Sequence, residues 1–406
     1  MRVLMVTDFY APYVGGVEQH VRSLAHALAD RGHHVAVATL WTPEAGPEQE
    51  DDGPVRVHRL RSTAQRLKRR WAVDERPWAP PVVDPGVLLG LRRVVRAERP
   101  DVVHGHDWLG RSAWPLCLRR RPLVVSLHYY SRSCAKKTLV RDGRRCEGPA
   151  PLKCARCAAG HYGRLQGPAV AAANLVGAAV DDRVAAAMVA VSGATAAGNL
   201  LPSRRRSCVV VPNLLPPPDG DWDGTGLDAL PDGPFVLYVG DLRAEKGLDV
   251  LLDAYRGMPA PAPPLVLVGK RVPASPATLP DGVRHLGTLP NEAVLEAWRR
   301  CSFGVVPSVW AEPFGIVVIE AMTAGRPVVA SAVGGLAEIV TDGVDGVLVP
   351  PGDAVALRAA IARLAGDPVL RARLGAAAAR TAARYRPSVV AAEVEAVYEG
   401  ALAGRG

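Results

Sequence analysis

No long apolar run and no secretory leader is evident in this sequence, and both observations enter our expectation of where the protein works. The longest weakly apolar stretch, residues 168–180, is too short to cross a bilayer and ends at the charged residue Asp181. The opening residues do not form a secretory leader, because Asp8 interrupts them early. We therefore expect a cytoplasmic protein and leave open a peripheral position at the inner face of the membrane.

Cysteine and phenylalanine are also sparse, with seven and four residues. Seven cysteines in a cytoplasmic chain do not favour a disulfide framework. Hydrophobic residues still make up 49% of the 406 positions, which is enough for the cores of two domains. The net charge of +9 is mild for this length. It suits anionic small molecules or a membrane surface and does not by itself indicate nucleic-acid binding.

The chain opens with an α/β pattern. Residues 2–7 predict a strand, Gly15 and Gly16 follow in a loop, and apolar residues at helical spacing lead to a second strand at residues 35–39. Adjacent glycines at a helix start permit a phosphate to approach the backbone, although an ordinary turn explains them equally well. The loop lacks G-x-G-x-x-G, and no acidic residue ends the second strand, which disfavours a dinucleotide oxidoreductase.

The most informative stretch lies in the middle of the second half. The apolar residues 303–306 predict a parallel strand, and a turn and a helix to about residue 324 follow it. Pro313 fits the first helical position, where its missing N–H costs nothing. The backbone N–H groups of Phe314, Gly315 and Ile316 are then open at the helix start, which favours binding of an anion.

Two glutamates flank this predicted helix start. Glu312 precedes it, and Glu320 lies seven residues past Pro313, about 10 Å along the helix axis. That span suits a ligand with a sugar at one end, a diphosphate in the middle and a ribose at the other end. Two exposed glutamates that merely favour the helix dipole are the alternative.

The Glu-x7-Glu spacing resembles the pattern of the retaining glycosyltransferases of the GT-B fold, specifically the large family 4. The resemblance extends from Met1 to about Tyr398. It implies an α/β protein with two Rossmann-like domains that face each other across a cleft. Residues 1–214 are expected to bind the acceptor, residues 215–385 to bind the nucleotide sugar, and residues 386–406 to form a helix that packs back on the first domain.

The same resemblance implies roles for individual residues. Glu312 is expected at the sugar hydroxyls and Glu320 at the ribose, while Lys246 contacts the leaving diphosphate. Family members usually place an arginine directly after Gly240, where this chain has an aspartate, so Arg243 is the expected substitute. The remaining implied contacts are Gly15 and Gly16 at the donor diphosphate, the helix-start residues Phe314, Gly315 and Ile316, and His128 near the transferred sugar.

The implied reaction is transfer of a hexosyl group from a nucleotide-diphosphate sugar to a hydroxyl of a glycolipid, glycan or small metabolite, with retention of configuration. No nucleophilic carboxylate is evident, and the family pattern requires neither one nor a catalytic metal. Two alternatives stay open. One is a nucleotide-sugar epimerase of the same fold, and the other is a non-catalytic nucleotide-sugar-binding protein.

A cysteine cluster interrupts the first half, in an insertion at about residues 131–160. Its spacing is C-x11-C-x7-C-x2-C, formed by Cys134, Cys146, Cys154 and Cys157. A C-x2-C pair with two further thiols in a Gly/Pro-rich segment without helical periodicity predicts a structural zinc site. An iron–sulfur cluster is the less favoured metal centre, and four reduced thiols remain the alternative.

A basic run precedes this insertion. Its members are Arg59, Arg61, Arg66, Lys68, Arg69 and Arg70. A solvated face is the simpler interpretation, and contact with acidic lipid or a phosphate-bearing acceptor is the other. We expect no nucleic-acid partner.

Overall fold

The computed structural model describes residues 1–13, 15–66, 79–118, 120–201, 207–215 and 224–404. The chain divides into two compact units. The first comprises Met1–Pro216 together with Pro387–Gly406, and the second comprises Pro217–Arg386.

The first unit is built on an eight-stranded sheet, counted over the described ranges, in the order β10-β9-β6-β5-β1-β2-β4-β3. Every pairing is parallel except that of β3 with β4. The strands are β1 (Arg2–Val6), β2 (His34–Leu40), β3 (Gln49–Asp52), β4 (Val55–Leu60), β5 (Val102–His106), β6 (Leu123–Leu127), a separate hairpin of β7 (Val140–Arg141) and β8 (Arg144–Arg145), β9 (Ala187–Ala190) and β10 (Ser207–Val210).

Helices cover both faces of this sheet. They are α1 (Gly16–Asp30), α2 (Thr63–Arg66), α3 (Pro85–Glu98), α4 (Trp114–Cys117), α5 (Pro151–Tyr162), α6 (Gln166–Val184) and α7 (Gly193–Gly198). Successive residues of β1 point to opposite faces of the sheet and therefore belong to two different hydrophobic clusters. Leu4 packs in the cluster that contains Leu91 of α3, whereas Met5 packs in the cluster that contains Leu24 of α1. Local chemistry sets the start of α3, where Pro85 occupies the first turn and the Asp84 carboxylate accepts from an N–H of that turn.

The second unit contains a six-stranded sheet, among the residues described, in which all pairings are parallel. Its order is β13-β12-β11-β14-β15-β16. The strands are β11 (Val236–Val239), β12 (Leu265–Val268), β13 (Val283–His285), β14 (Phe303–Val306), β15 (Val328–Ser331) and β16 (Val347–Val349), and the helices are α8 (Leu248–Arg256), α9 (Asn291–Arg300), α10 (Ile316–Thr323), α11 (Leu336–Ile339), α12 (Ala354–Gly366) and α13 (Pro368–Ala382). Two sheets that are parallel except for the β3–β4 pair, with helices on their faces, confirm the predicted α/β class.

The last helix, α14 (Pro387–Ala403), belongs to the first unit, where it packs against α1. Glu395 of this helix binds Arg31 and lies 2.9 Å from Nε2 of His33. Deeper in the core, the Tyr398 hydroxyl lies 2.7 Å from Nδ1 of His104. Polar contacts therefore fix the position of a helix whose apolar side is otherwise held only by packing.

Replacing Tyr398 with phenylalanine is expected to lower the free energy of unfolding by about 1–2 kcal/mol, since it leaves a buried imidazole nitrogen without a partner. Thermal unfolding of the whole chain measures this loss. Tyr255→Phe is the matched control, because the buried Tyr255 hydroxyl has no hydrogen-bond partner among the described residues. Equal melting temperatures for the two variants would contradict the role given to the Tyr398–His104 contact.

The edge strand β3 is acidic, and its carboxylates pair with arginines of the adjacent strand β4, as Glu50 does with Arg59. The cysteine-rich segment was expected to lack helix, yet α5 carries two of its cysteines. No helix in the described ranges combines the length and the apolar character needed to cross a membrane.

Candidate functional site

The loop after β14 brings a carboxylate to a lysine from the loop after β11. Glu312 is 7% exposed, and its Oε1 atom lies 2.5 Å from Nζ of Lys246. The Ser308 hydroxyl donates to the same oxygen over 2.9 Å, and the lysine ammonium lies 5.7 Å from the ring centre of Trp310. β11 and β14 are neighbours, so both loops leave the sheet at the same edge. The structure thus joins two predicted site residues that are 66 positions apart.

The helix after this loop begins later than the sequence predicts. It starts at Ile316 with Gly315 as its N-cap, so Pro313 is not its first residue. The reason is local: Gly315 adopts a φ of +126°, and the N–H of Gly335 donates to the Glu312 carbonyl, which holds the preceding segment outside helical geometry. No side chain caps this helix start.

Phe314 and Gly315 have packing roles that the sequence did not indicate. Phe314 is buried and packs edge-on against Tyr385, with ring centres 5.7 Å apart. A Cβ on Gly315 would lie 2.5 Å from Cδ2 of Leu336. Of the three predicted amides, only that of Ile316 belongs to the helix.

Glu320 lies inside α10 and is buried. Burial raises the pKa of its carboxyl to about 7, and a hydrogen bond from the Trp298 indole, 3.2 Å away, acts in the opposite direction. A carboxyl in this state is close to half protonated at neutral pH. It can therefore accept hydrogen bonds from a ligand, and the strength of that interaction depends on pH.

The Arg243 carbonyl accepts the backbone N–H of Lys246 over 3.2 Å, but the Arg243 side chain makes no described contact with the side chain of Glu312 or Lys246. Its Nε atom lies 3.3 Å from the carboxylate of Asp241, the residue that stands where family members place an arginine. Both side chains are about half exposed. The guanidinium is therefore available to a ligand only if it leaves or shares this pairing.

In the first unit, His128 follows β6 and belongs to a cluster of buried imidazoles. Its Nε2 atom lies 2.9 Å from Nδ1 of His106, and its ring lies edge-on to that of His20. Burial lowers the pKa of His128 to about 4 and the pKa of His104 to about 3. These imidazoles are neutral at pH 7 and act as hydrogen-bonding groups, not as cations.

His20 was not predicted from the sequence as part of this cluster, although its position in the helical pattern could have indicated it. It lies on the inner side of α1 among the apolar positions Val17, Val21 and Leu24, where a polar residue is unexpected. Its Nδ1 atom accepts the backbone N–H of Leu214 over 3.2 Å.

The predicted glycine pair lies at the start of α1. Gly15 is the N-cap, in extended conformation, and Gly16 is the first helical residue. A Cβ on Gly15 would lie 2.4 Å from a carboxylate oxygen of Glu18. A phosphate bound at this helix start would therefore lie close to the Glu18 carboxylate.

A second group that the sequence did not reveal lies at the carboxyl end of the same sheet. Lys137, from the cysteine-rich insertion, places Nζ 3.4 Å from Oδ2 of Asp8 and 4.6 Å from the ring centre of Trp108. Burial raises the pKa of Asp8 and of the nearby Asp107, while the lysine acts in the opposite direction. An insertion thus delivers a partly buried cation to the edge where ligands of parallel sheets bind.

The four cysteines line one small cavity within the insertion. No three His, Cys, Asp or Glu side chains are arranged as a metal-ligand set in the described part of the chain. The zinc site stays a prediction.

The basic run is less uniform than its sequence. Arg59 is 3% exposed and binds two backbone carbonyls as well as Glu50, so it cannot face a membrane. Arg61 binds Glu48 and lies over the ring of Trp41. Lys68, Arg69 and Arg70, together with the side chain of Arg66, lie outside the described residues.

Comparison with known proteins identifies the family. A model described as Glycosyltransferase Family 4 matches residues 14–213, and one described as Glycosyl transferases group 1 matches residues 227–381. A D-inositol 3-phosphate glycosyltransferase from Xylanimonas cellulosilytica is 31% identical over 96% of this chain and 93% of its own length. The chain belongs to the family 4 glycosyltransferases.

Solved structures similar to this glycosyltransferase agree with that assignment. Sucrose-phosphate synthase from Thermosynechococcus elongatus matches it with a TM-score of 0.72 and 24% identity, over 100% of both chains. HepE from Anabaena, solved in complex with UDP-glucose, matches with a TM-score of 0.65 and 20% identity, over 98% of this chain and 99% of its own. The predicted family, the GT-B fold and the enzyme class are confirmed.

Proposed function

We propose that this glycosyltransferase moves a hexosyl group from a nucleotide-diphosphate sugar to an acceptor hydroxyl with retention of configuration. The observation that carries the proposal is the contact of buried Glu312 with Lys246, followed by the uncapped start of α10 and by Glu320. The similar fold of HepE, which was solved with UDP-glucose, supports a donor of this class.

The positive groups of the second unit suit a diphosphate. Lys246 is about one-third exposed while bound to Glu312, so a phosphate oxygen can share its ammonium group. The amides at the start of α10 add a second source of positive potential. Arg243 is the third candidate once it leaves Asp241. Together these groups stabilise the charge that develops as the nucleoside diphosphate departs.

The two glutamates divide the remaining parts of the donor. Glu312 accepts hydrogen bonds from hydroxyls of the transferred sugar, since Lys246 and Ser308 already fix the orientation of its carboxylate. Glu320 accepts from the ribose hydroxyls in its deprotonated form. Because the Glu312 carboxylate is already held in place before the donor binds, little ordering of this side chain is required on binding.

We assign the acceptor to the first unit. Two groups of this unit contact the donor in our proposal: Gly15 and Gly16 approach its diphosphate, and His128, as a neutral imidazole, hydrogen-bonds to the transferred sugar. The relative named D-inositol 3-phosphate glycosyltransferase suggests a polyhydroxylated acceptor, which a glycan, a glycolipid or a small polyol can provide.

Retention without an enzyme nucleophile follows from the chemistry of the proposed site. Glu312 is held by a cation and a hydroxyl, which suits hydrogen bonding better than covalent attack. We assign the acceptor proton to an oxygen of the departing phosphate, on the same face as attack. Mass spectrometry of enzyme quenched during turnover tests this step, and a trapped glycosyl–enzyme adduct would contradict it.

We propose that Lys246, Arg243 and the start of α10 perform the role that a catalytic cation has in other transferases. In buffer without added divalent cations, turnover is then expected to be unchanged when magnesium or manganese is supplied. Activity lost on chelation and restored by magnesium would contradict this assignment.

The donor is tested by a thermal-shift screen with UDP, GDP, ADP and dTDP and their sugars, because a ligand that binds only the folded state raises the melting temperature. One nucleotide series is expected to stabilise the protein, and Lys246→Ala to weaken its binding roughly 10- to 100-fold. Arg256→Ala, at an exposed position on α8, is the control. NMR of the purified product then reports its anomeric configuration, and inversion would overturn the proposed mechanism.

A further inference from the structure

The cysteine-rich insertion encloses a cavity of about 30 Å³, which has room for a single ion. The cavity is lined by all four cysteines of the insertion, Cys134, Cys146, Cys154 and Cys157, and by the basic residues Lys136, Arg141 and Lys153. This cavity has no part in the donor or acceptor roles assigned above.

Three separate backbone elements bring the thiols together. Cys134 lies in a tight loop closed by the Tyr130 N–H, which donates to the Lys137 carbonyl. Cys146 directly follows the β7–β8 hairpin, and its N–H donates to the Leu139 carbonyl over 2.8 Å.

Helix α5 provides the other two cysteines, three residues apart. Residues at this spacing share one face of a helix, so Cys154 and Cys157 both face the cavity. The far end of α5 is tied back to the first loop, because the Tyr162 hydroxyl donates to the Ala135 carbonyl over 2.7 Å. The insertion thus has a closed hydrogen-bonded frame around its thiols.

Hydrogen bonds at the sulfur atoms differ along the cluster. The N–H of Ala150 donates to the Cys154 sulfur over 3.3 Å, whereas the Cys146 thiol donates to the Gly148 carbonyl over 3.5 Å. The donor aimed at Cys154 stabilises its ionised form, and the bond from Cys146 is lost when its proton is released and a cation binds.

We propose that Cys134, Cys146, Cys154 and Cys157 bind one structural zinc ion in this cavity. Four thiolates are a common ligand set of closed tetrahedral zinc sites. On binding, the four thiols release four protons, so the site carries a charge of −2 that the three lining cations offset. In the described conformation no three of the thiols converge on one point, so the side chains close on the ion by rotation about their Cα–Cβ bonds.

The zinc site also has a consequence for Lys137, three residues past Cys134. Closing the loop on a metal fixes the position from which Lys137 reaches Asp8 at the end of β1. This consequence rests on the proposed acceptor role of the first unit, whereas the metal site itself does not.

Metal analysis of protein purified without oxygen and without metal-affinity resin tests the proposal. We expect about one zinc ion per chain. The double variant Cys154→Ser/Cys157→Ser should lose it, and Cys208→Ser, which alters an exposed cysteine outside the cluster, should keep it. Zinc well below one per chain in the unaltered protein, iron with acid-labile sulfide in its place, or zinc retained by the double variant would each overturn the proposal.

A second measurement avoids any variant that fails to fold. Cobalt exchanged into the unaltered protein should give the visible absorption of a tetrahedral thiolate site, and its absence would refute the assignment. Hydrogen exchange in residues 131–160 should become faster when the metal is removed. Nucleotide-induced thermal shifts should persist in the metal-free protein, so failure of the zinc site and failure of the proposed donor function are distinguishable.

Discussion

Glu312→Gln is expected to lower kcat roughly 100- to 1000-fold while the protein remains folded. Glutamine keeps the shape of the side chain but loses the negative charge. It can no longer orient Lys246, whose ammonium lies 2.5 Å from the carboxylate, and it accepts sugar hydroxyls more weakly. If Glu312 acts mainly as charge builds up in the transition state, kcat falls more than KM rises.

Steady-state kinetics with the donor identified by the nucleotide screen measures this effect. Ser308→Ala removes only one hydrogen bond to the same carboxylate and should cost far less, about tenfold or below. Glu296→Gln, on the outer side of α9, is the matched control for loss of a charge and should leave kcat unchanged. A Glu312→Gln variant with kcat within about threefold of the unaltered enzyme would exclude this residue from the reacting centre.

Much of this site could be predicted because two simple rules apply to it. β11 and β14 are short apolar runs in the sequence, as is typical of buried strands. Because these neighbouring strands are parallel, the loops that follow them lie at the same edge of the sheet. Lys246 and Glu312 follow those two strands, so their contact follows from the order of the sheet. Glu320 was predicted from its spacing to Glu312 and from the family resemblance, and its burial, which raises the pKa of its carboxyl, was not predicted.

The remaining features depend on contacts that no local pattern reveals. The start of α10 is displaced because the N–H of Gly335, twenty residues after Gly315, donates to the Glu312 carbonyl. Lys137 reaches the sheet from an insertion whose path is set by tertiary contacts, and three residues in that loop and turn, Lys137, Leu139 and Asp142, adopt positive φ. Such backbone geometry cannot be deduced from side-chain periodicity.

Glu320→Gln is expected to stabilise the protein at pH 8 by up to about 3 kcal/mol and to weaken donor binding. The pKa of this carboxyl is about 7 in the folded chain, against an ordinary value of 4.5, because the group is buried. Between these values the folded state binds more protons than the unfolded state. The contribution of Glu320 to the free energy of unfolding therefore falls as pH rises from about 4.5 to about 7 and is level above that.

Glutamine resembles the protonated acid and cannot ionise, so it removes this loss of stability. Urea unfolding of both proteins at pH 4 and pH 8 should show nearly equal stability at the lower pH and a more stable variant at the higher pH. Glu296→Gln, at a more exposed position, should show no such difference. A variant that is no more stable at pH 8 would mean that Trp298 and its neighbours already solvate the charge fully.

Donor affinity should depend on pH in the opposite direction. Only the deprotonated carboxyl of Glu320 can accept both ribose hydroxyls, so binding of the nucleotide by the unaltered enzyme should strengthen as pH rises through about 7. The Glu320→Gln variant should bind weakly at every pH and lack this slope. The Glu320 carboxylate then lowers the stability of the free protein, because burial removes the water that would hydrate it. The same charge strengthens donor binding, because the ribose hydroxyls take the place of that water. Titration calorimetry at pH 6 and pH 8 separates the two effects, and equal slopes for both proteins would show that another group contacts the ribose.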